Sequence, residues 1–215
     1  MFEDRQEVGR KLAERLAEYK NSQDSVVLSI PRGGVVVGAE IARDLNLPLE
    51  AVAVKKLGAP ANPELAIGSV AQNGAKYIDW ELVVRMGIGS EYLASEVEDK
   101  RKEVEERVKN YQIVPDKLLR FSNFILTDDG IATGATIKAA LNIIKSLIFS
   151  GKRKAKIILA VPVLSKEIFN ELQKESVRME VIEVSDNFGS VGQFFASFPQ
   201  IKDREVIELL NKYRR

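Results

Sequence analysis

No cysteine and no histidine occurs among the 215 residues of this chain. The first absence removes disulfides, thiolate nucleophiles and cysteine-bound zinc. The second removes the commonest general base and the commonest metal ligand. Any metal should then be a hard cation on oxygen ligands, such as magnesium. Net charge is nearly absent too: 32 Lys plus Arg against 31 Asp plus Glu leave +1. That gives no global field to attract nucleic acid or an anionic membrane, so an anion site must be local. No apolar run approaches membrane length. The opening stretch, MFEDRQEVGRKLAERLAEYK, reads as an amphipathic charged helix and not as a signal peptide. The expectation is a cytoplasmic protein with neither nucleic acid nor membrane as a partner. What is present is ordinary: 45% hydrophobic and 29% charged residues, enough for one good-sized domain with a real core.

Along the chain, short apolar runs alternate with helical patterns. A helix is expected over about 3–20, with Val8, Leu12 and Leu16 on one stripe. SVVLSI (25–30) reads as a buried strand, and PRGG breaks it. A helix over 35–45 should pack closely through Gly38 and Ala39. LEAVAV (49–54) reads as a second buried strand and KKLGAPANPEL (55–65), with its Gly and two Pro, as a loop. Residues 66–78 read as a hairpin turning at Asn73-Gly74. A charged helix is expected over about 91–111, with Leu93, Val97, Val104 and Val108 on one face. NFILTD (123–128) is a third buried strand. It leads to a helix over 133–150 with Ile137, Leu141, Ile144 and Ile148 inward, stopped by Gly151. A strand at 156–163, a helix from about Ser165, a strand at 180–185 and a closing helix complete the alternation. Such a pattern predicts an α/β fold: a mostly parallel central sheet with flanking helices. In these sheets ligands bind beyond the carboxyl ends of the strands.

At one such end lies TDDGIATGAT (127–136). Asp128 and Asp129 precede a loop of small residues, with Ala132, Thr133, Gly134, Ala135 and Thr136 running into a helix. Small residues let backbone N–H groups approach an anion, and the helix N-terminus adds the positive end of its dipole. This is a phosphate cradle, but not a Walker A loop, since no Gly-Lys-[Ser/Thr] follows. Acids beside a phosphate site make sense if the ligand also carries hydroxyls, because a carboxylate accepts from hydroxyl donors. A vicinal diol next to a phosphate describes ribose 5-phosphate. The plainer reading, helix capping and solubility, leaves the combination of acids, cradle and striped helix unexplained.

Apolar residues, two acids and a small Thr/Gly loop resemble the ribose-phosphate signature of type I phosphoribosyltransferases. SIPRGGVVVGAEIA, KKLGAPANPELAIGSV and NFGSVGQFFASF are similar to a branch of that family whose acceptors are unassigned. The resemblance covers most of the chain. It implies a single phosphoribosyltransferase domain over 1–215, with a charged helical insertion near 91–111 and a small hood built from terminal segments. It also implies transfer of ribose 5-phosphate from 5-phosphoribosyl-1-pyrophosphate (PRPP) to a nitrogen acceptor such as a nucleobase, with Mg2+ bound through PRPP and water. Asp128, Asp129 and Lys56 become the candidate catalytic residues. Arg32, Gly33, Gly34, Lys55 and residues 132–136 join the acids as candidate PRPP contacts. Strand alternation sends Lys55 and Lys56 to opposite sides, so only one should reach the diphosphate first. The family also suggests a cis peptide at Pro31–Arg32, a lid over 57–68, a magnesium-water contact for Glu64, and a base-stacking role for Phe188, Phe194 or Phe195, against which core packing weighs. Phosphoribosyltransferases for 6-oxopurines carry an Asp in the ribose-phosphate loop that handles the purine N7; Ala132 stands at that position. Two competing readings remain: a PRPP sensor without turnover, and a hydrolase of a ribose phosphate. The charged helix could also serve a homodimer interface.

Overall fold

A computed structural model describes residues 1–150, 154–175 and 177–214; the side chains of Glu64, Ser146, Leu147, Phe149 and Ser150 lie outside that description. The stop expected at Gly151 and the role considered for Glu64 therefore fall outside the described residues. The first helix, α1 (Arg5–Arg15), is capped by Asp4, whose carboxylate accepts from the Glu7 N–H. It is shorter than its pattern suggests, but Val8, Leu12 and Leu16 are all fully buried. Strand β1 (Ser25–Ser29) is buried throughout. Helix α2 (Gly33–Leu45) and strand β2 (Leu49–Ala51) come next.

The central sheet adds β6 (Asn123–Thr127), β7 (Lys156–Ser165) and β8 (Arg178–Ser185) in the order β2-β1-β6-β7-β8. Every neighbouring pair in it is parallel. Alternate residues feed opposite faces, as strand geometry requires. Val27, Ile125, Ile158 and Ala160 pack toward α1, α2 and α7 (Asp203–Tyr213). Leu28, Phe124, Leu126 and Leu159 pack toward α5 (Ala135–Ser150) and α6 (Lys166–Leu172). Ile137, Leu141 and Ile144 are buried as the α5 stripe predicts.

A second, antiparallel sheet is formed by β3 (Val54–Ala59), β4 (Asn62–Ala71) and β5 (Lys76–Ile78). This corrects two expectations. The apolar run 49–54 is not one strand: the chain leaves the central sheet at Val52 and Ala53, whose amides bond to the Ser29 carbonyl and the Gln72 side chain. Both halves are buried, so periodicity carries no mark of the change. Residues 55–65 are not a loop. Pro60 and Ala61 turn a hairpin, and the pairing jumps from Gly58↔Ala66 to Ala59↔Asn62. Pro63 thus sits in a bulge, where no ladder donor is asked of it.

The Asn73-Gly74 turn is present, with both residues at positive φ. The short helix α3 (Trp80–Arg85), capped by Asp79, has no counterpart among the sequence expectations. Helix α4 (Ser90–Asn110) lays Leu93 and Val97 on the small sheet and Val104 and Val108 on the main core. Tyr92 donates to the Gly58 carbonyl and Glu96 accepts from its N–H, tying the β3–β4 hairpin to this helix.

At Gly38 helix α2 approaches the sheet closely: a Cβ there would fall 1.9 Å from the Ser29 hydroxyl oxygen and 3.1 Å from Leu49. Gly→Ala inside a helix normally gains about 1 kcal/mol. Here Gly38→Ala should instead destabilise by about 1–3 kcal/mol through overpacking. Urea denaturation measures this, and a variant as stable as wild type would contradict the contact.

Candidate functional site

The parallel register sets Ser29 beside Thr127, so the segments leaving the two strands meet at one edge. After β1 come Ile30 and the cis Pro31–Arg32 bond, the one expected from the resemblance. After β6 come the two acids. The Gly33–Gly34 turn lies against them without room for a side chain. A Cβ at Gly33 would fall 1.8 Å from Asp129 Oδ2, and one at Gly34 would fall 2.9 Å from the Asp128 Cα. Glycine is required here by proximity.

The loop after the acids is anchored at its base and free at its crown. Ile131 bridges to β7 through its own N–H and the N–H of Ser165. The Ser165 hydroxyl donates to the Ala132 carbonyl, and the buried Ser69 hydroxyl donates to that of Ala135. Gly134 has a φ of 71°, a left-handed conformation that favours glycine. Among the described residues, no protein acceptor takes the N–H of Ala132, Thr133, Gly134, Ala135 or Thr136. Uncommitted amides at a helix start are what an anion cradle requires.

A cavity of about 180 Å³ is lined by Lys56, Asp128, Asp129, the loop through Gly134, Thr136, Ile137 and Val191. The two lysines part as alternation demands. Lys56 faces this cavity, while Lys55 pairs with Glu103 on α4. Arg32 lines a neighbouring cavity of about 300 Å³ with Arg5, Gly33 and Phe198. A larger cavity of about 430 Å³ runs between α1, α2 and α7, away from the loop. Phe194 and Phe195 are buried in the main core, and Phe188 packs on Phe194. Core packing therefore accounts for these rings. The terminal segments do join, through reciprocal bonds of Phe2 with Phe194 and Ala196.

One site residue is invisible in the sequence. Arg5, in the first turn of α1, is buried and donates from Nε to Asp129 Oδ2 at 2.7 Å. Nothing in EDRQEV separates it from the charged residues around it; only the fold brings it across 124 positions to the acids.

Burial and the charge of Asp129 beside it push the Asp128 carboxyl well above its ordinary range, with Lys56 pulling weakly the other way. With the folded value raised, the carboxyl favours folding most below its ordinary pKa of about 4 and loses that contribution as pH rises through the folded value. Asp128→Asn keeps an oxygen to accept the Asp129 N–H and removes the titration. Without ligand the variant should melt above wild type at neutral pH, the gap closing as pH falls toward about 4. Calorimetry across that range checks it, and equal melting temperatures throughout would contradict it.

A model of the phosphoribosyl transferase domain matches residues 2–196. Two Mycobacterium tuberculosis proteins, each named "Putative phosphoribosyl transferase", are 33% identical over 218 aligned residues, covering all of this chain and 47% of theirs. The chain thus spans about half the length of these curated relatives. The crystal structure of TT1426 from Thermus thermophilus superimposes with a TM-score of 0.75 at 32% identity, covering 100% of both chains. With a family model over nearly its whole length and a structural relative matched end to end, this chain belongs to the phosphoribosyltransferase family.

Proposed function

We propose that the protein transfers ribose 5-phosphate from PRPP to a nitrogen acceptor, with release of pyrophosphate. The observation that carries this reading is the convergence of Lys56, the two acids and the loop through Thr136 on one cavity. The uncommitted amides of 132–136 would take the 5-phosphate, with the hydroxyls of Thr133 and Thr136 beside them. Asp128 and Asp129 would accept from the ribose hydroxyls. Bond cleavage at the anomeric carbon leaves positive charge on the sugar and negative charge on the departing diphosphate. Lys56 is the side chain in the cavity that can meet the latter. Holding the sugar rigidly and answering the developing charge are the two effects asked of the protein.

Among the described residues no three carboxylates converge as a metal site, and Asp129 already has Arg5 as its counter-ion. This donor set suits magnesium carried by the ligand's own diphosphate oxygens and water. Such an ion would neutralise the leaving group.

A second reading is a PRPP-binding sensor without turnover, and one observation favours it. The segment matching the family's closing lid is a hairpin fastened to α4 at Gly58. Excluding water would then require that fastening to open.

Purified protein with magnesium, PRPP and a panel of bases separates these readings. A transferase releases pyrophosphate only when an acceptor is present; a sensor binds PRPP and releases none; a hydrolase consumes PRPP with no base. Hypoxanthine and guanine should give no more than the no-base rate, because the methyl group of Ala132 can do no acid–base work at the purine N7. Efficient nucleotide formation from either purine would refute that restriction, and failure to bind PRPP would refute the proposal.

A further inference from the structure

We propose that Arg5 is a positioning residue of this site: its guanidinium fixes the Asp129 carboxylate in place and ties it to the C-terminal segment, so that a sugar hydroxyl meets a preset acceptor. The inference rests on the ribose-phosphate reading of the acid pair and adds to it a residue from the far end of the chain.

Three contacts from three directions hold the Arg5 plane. Nε donates to Asp129 Oδ2 at 2.7 Å. Nη1 donates to the Pro199 carbonyl at 2.8 Å. The guanidinium carbon lies 3.6 Å from the centroid of the Phe198 ring. The Arg5 side chain is 8% exposed and that of Asp129 16%, so neither charge is well solvated. Removing one partner from such a pair leaves the other stranded. Gly33 closes the remaining side: a Cβ there would fall 2.8 Å from Arg5 Nε as well as against Asp129.

The pair also stands between two cavities. Asp129 lines the one that holds the loop, and Arg5 lines its neighbour with Arg32 and Phe198. Asp129 is therefore not a loose surface acid that a ligand must order. One carboxylate oxygen is already committed to Arg5, which leaves the other oxygen and Asp128 for hydroxyl donors. Pre-ordering of this kind spares a ligand the entropy of fixing its own acceptor. The charged groups around Asp129 are Arg5 from α1, Asp128 from the end of β6, Lys56 from β3 and Arg32 from the turn before α2.

The test uses Arg5→Met, which keeps the stem and removes the charge, Arg5→Lys, which keeps charge without a planar fork, and Phe198→Leu, which removes the stacked ring. Two quantities are read: ribose 5-phosphate affinity by calorimetry, and rotamer averaging of the Asp129 side chain by NMR three-bond couplings in the free protein. Arg5→Met should weaken ribose 5-phosphate binding about tenfold or more, because the ligand must then order its own acceptor. It should also let the Asp129 side chain average over more than one rotamer, because the contact that fixes the carboxylate is lost. Arg5→Lys and Phe198→Leu should be intermediate in both readouts. A purely structural role predicts lower melting temperatures with wild-type rotamer averaging and affinity, and that result would overturn the proposal. Should Arg5→Met not fold, wild-type affinity in both Arg5→Lys and Phe198→Leu would overturn it equally. If the wild-type protein binds neither ribose 5-phosphate nor PRPP, the functional reading fails, and the free-protein couplings still decide whether Arg5 sets Asp129.

Discussion

The register of β1 against β6 is the constraint on which the site depends. Because Ser29 pairs with Thr127, the turn that leaves one strand must pass the acids that leave the other. Only glycine at 33 and 34 lets it pass. The outcome is a ledge with two carboxylates, the start of α5 and a lysine from the small sheet around one opening, with the start of α2 packed against the acids. Shifting the register by one residue would turn every side chain of β6 to the opposite face, carrying Phe124 and Leu126 away from α5 and separating the acids from the Gly33–Gly34 turn. The buried apolar faces on both sides of the sheet therefore hold the chemistry in place.

The same packing crowds two carboxylates together on the ledge. Asp128 sits in a half-buried position beside a second carboxylate, and its proton affinity rises accordingly. Arg5 relieves Asp129, and Lys56 offers Asp128 only a weak counterweight. Stored discomfort of this kind is common where a protein must bind charge or hydroxyls. Under the proposed reading this gives a physical sense to two acids placed before a loop of small residues, because the ligand brings hydroxyl donors to the carboxylates.

Much of this is legible in the residues, for reasons that differ from element to element. The buried strands announce themselves as short apolar runs, and the α5 stripe as Ile137, Leu141 and Ile144 at helical spacing. TDDGIATGAT can be read because small residues and acids have few reasons to cluster at a strand end. The β3–β4 hairpin is hidden because Pro60 and Pro63 look like breakers, whereas one makes the turn and the other occupies a bulge. Alternation shows that Lys55 and Lys56 diverge but not which faces the site, since that depends on where α4 supplies Glu103. Arg5 leaves no local signal: an arginine in a charged amphipathic helix is ordinary until tertiary packing buries it.

The central claim is that one ledge holds both the phosphate and the diol of a ribose phosphate. A crystal structure with ribose 5-phosphate tests it most directly. The account predicts the phosphate on the amides of 132–136 and the ring hydroxyls within hydrogen-bonding distance of Asp128 and Asp129. A phosphate bound elsewhere, or a sugar turned away from both acids, would contradict it.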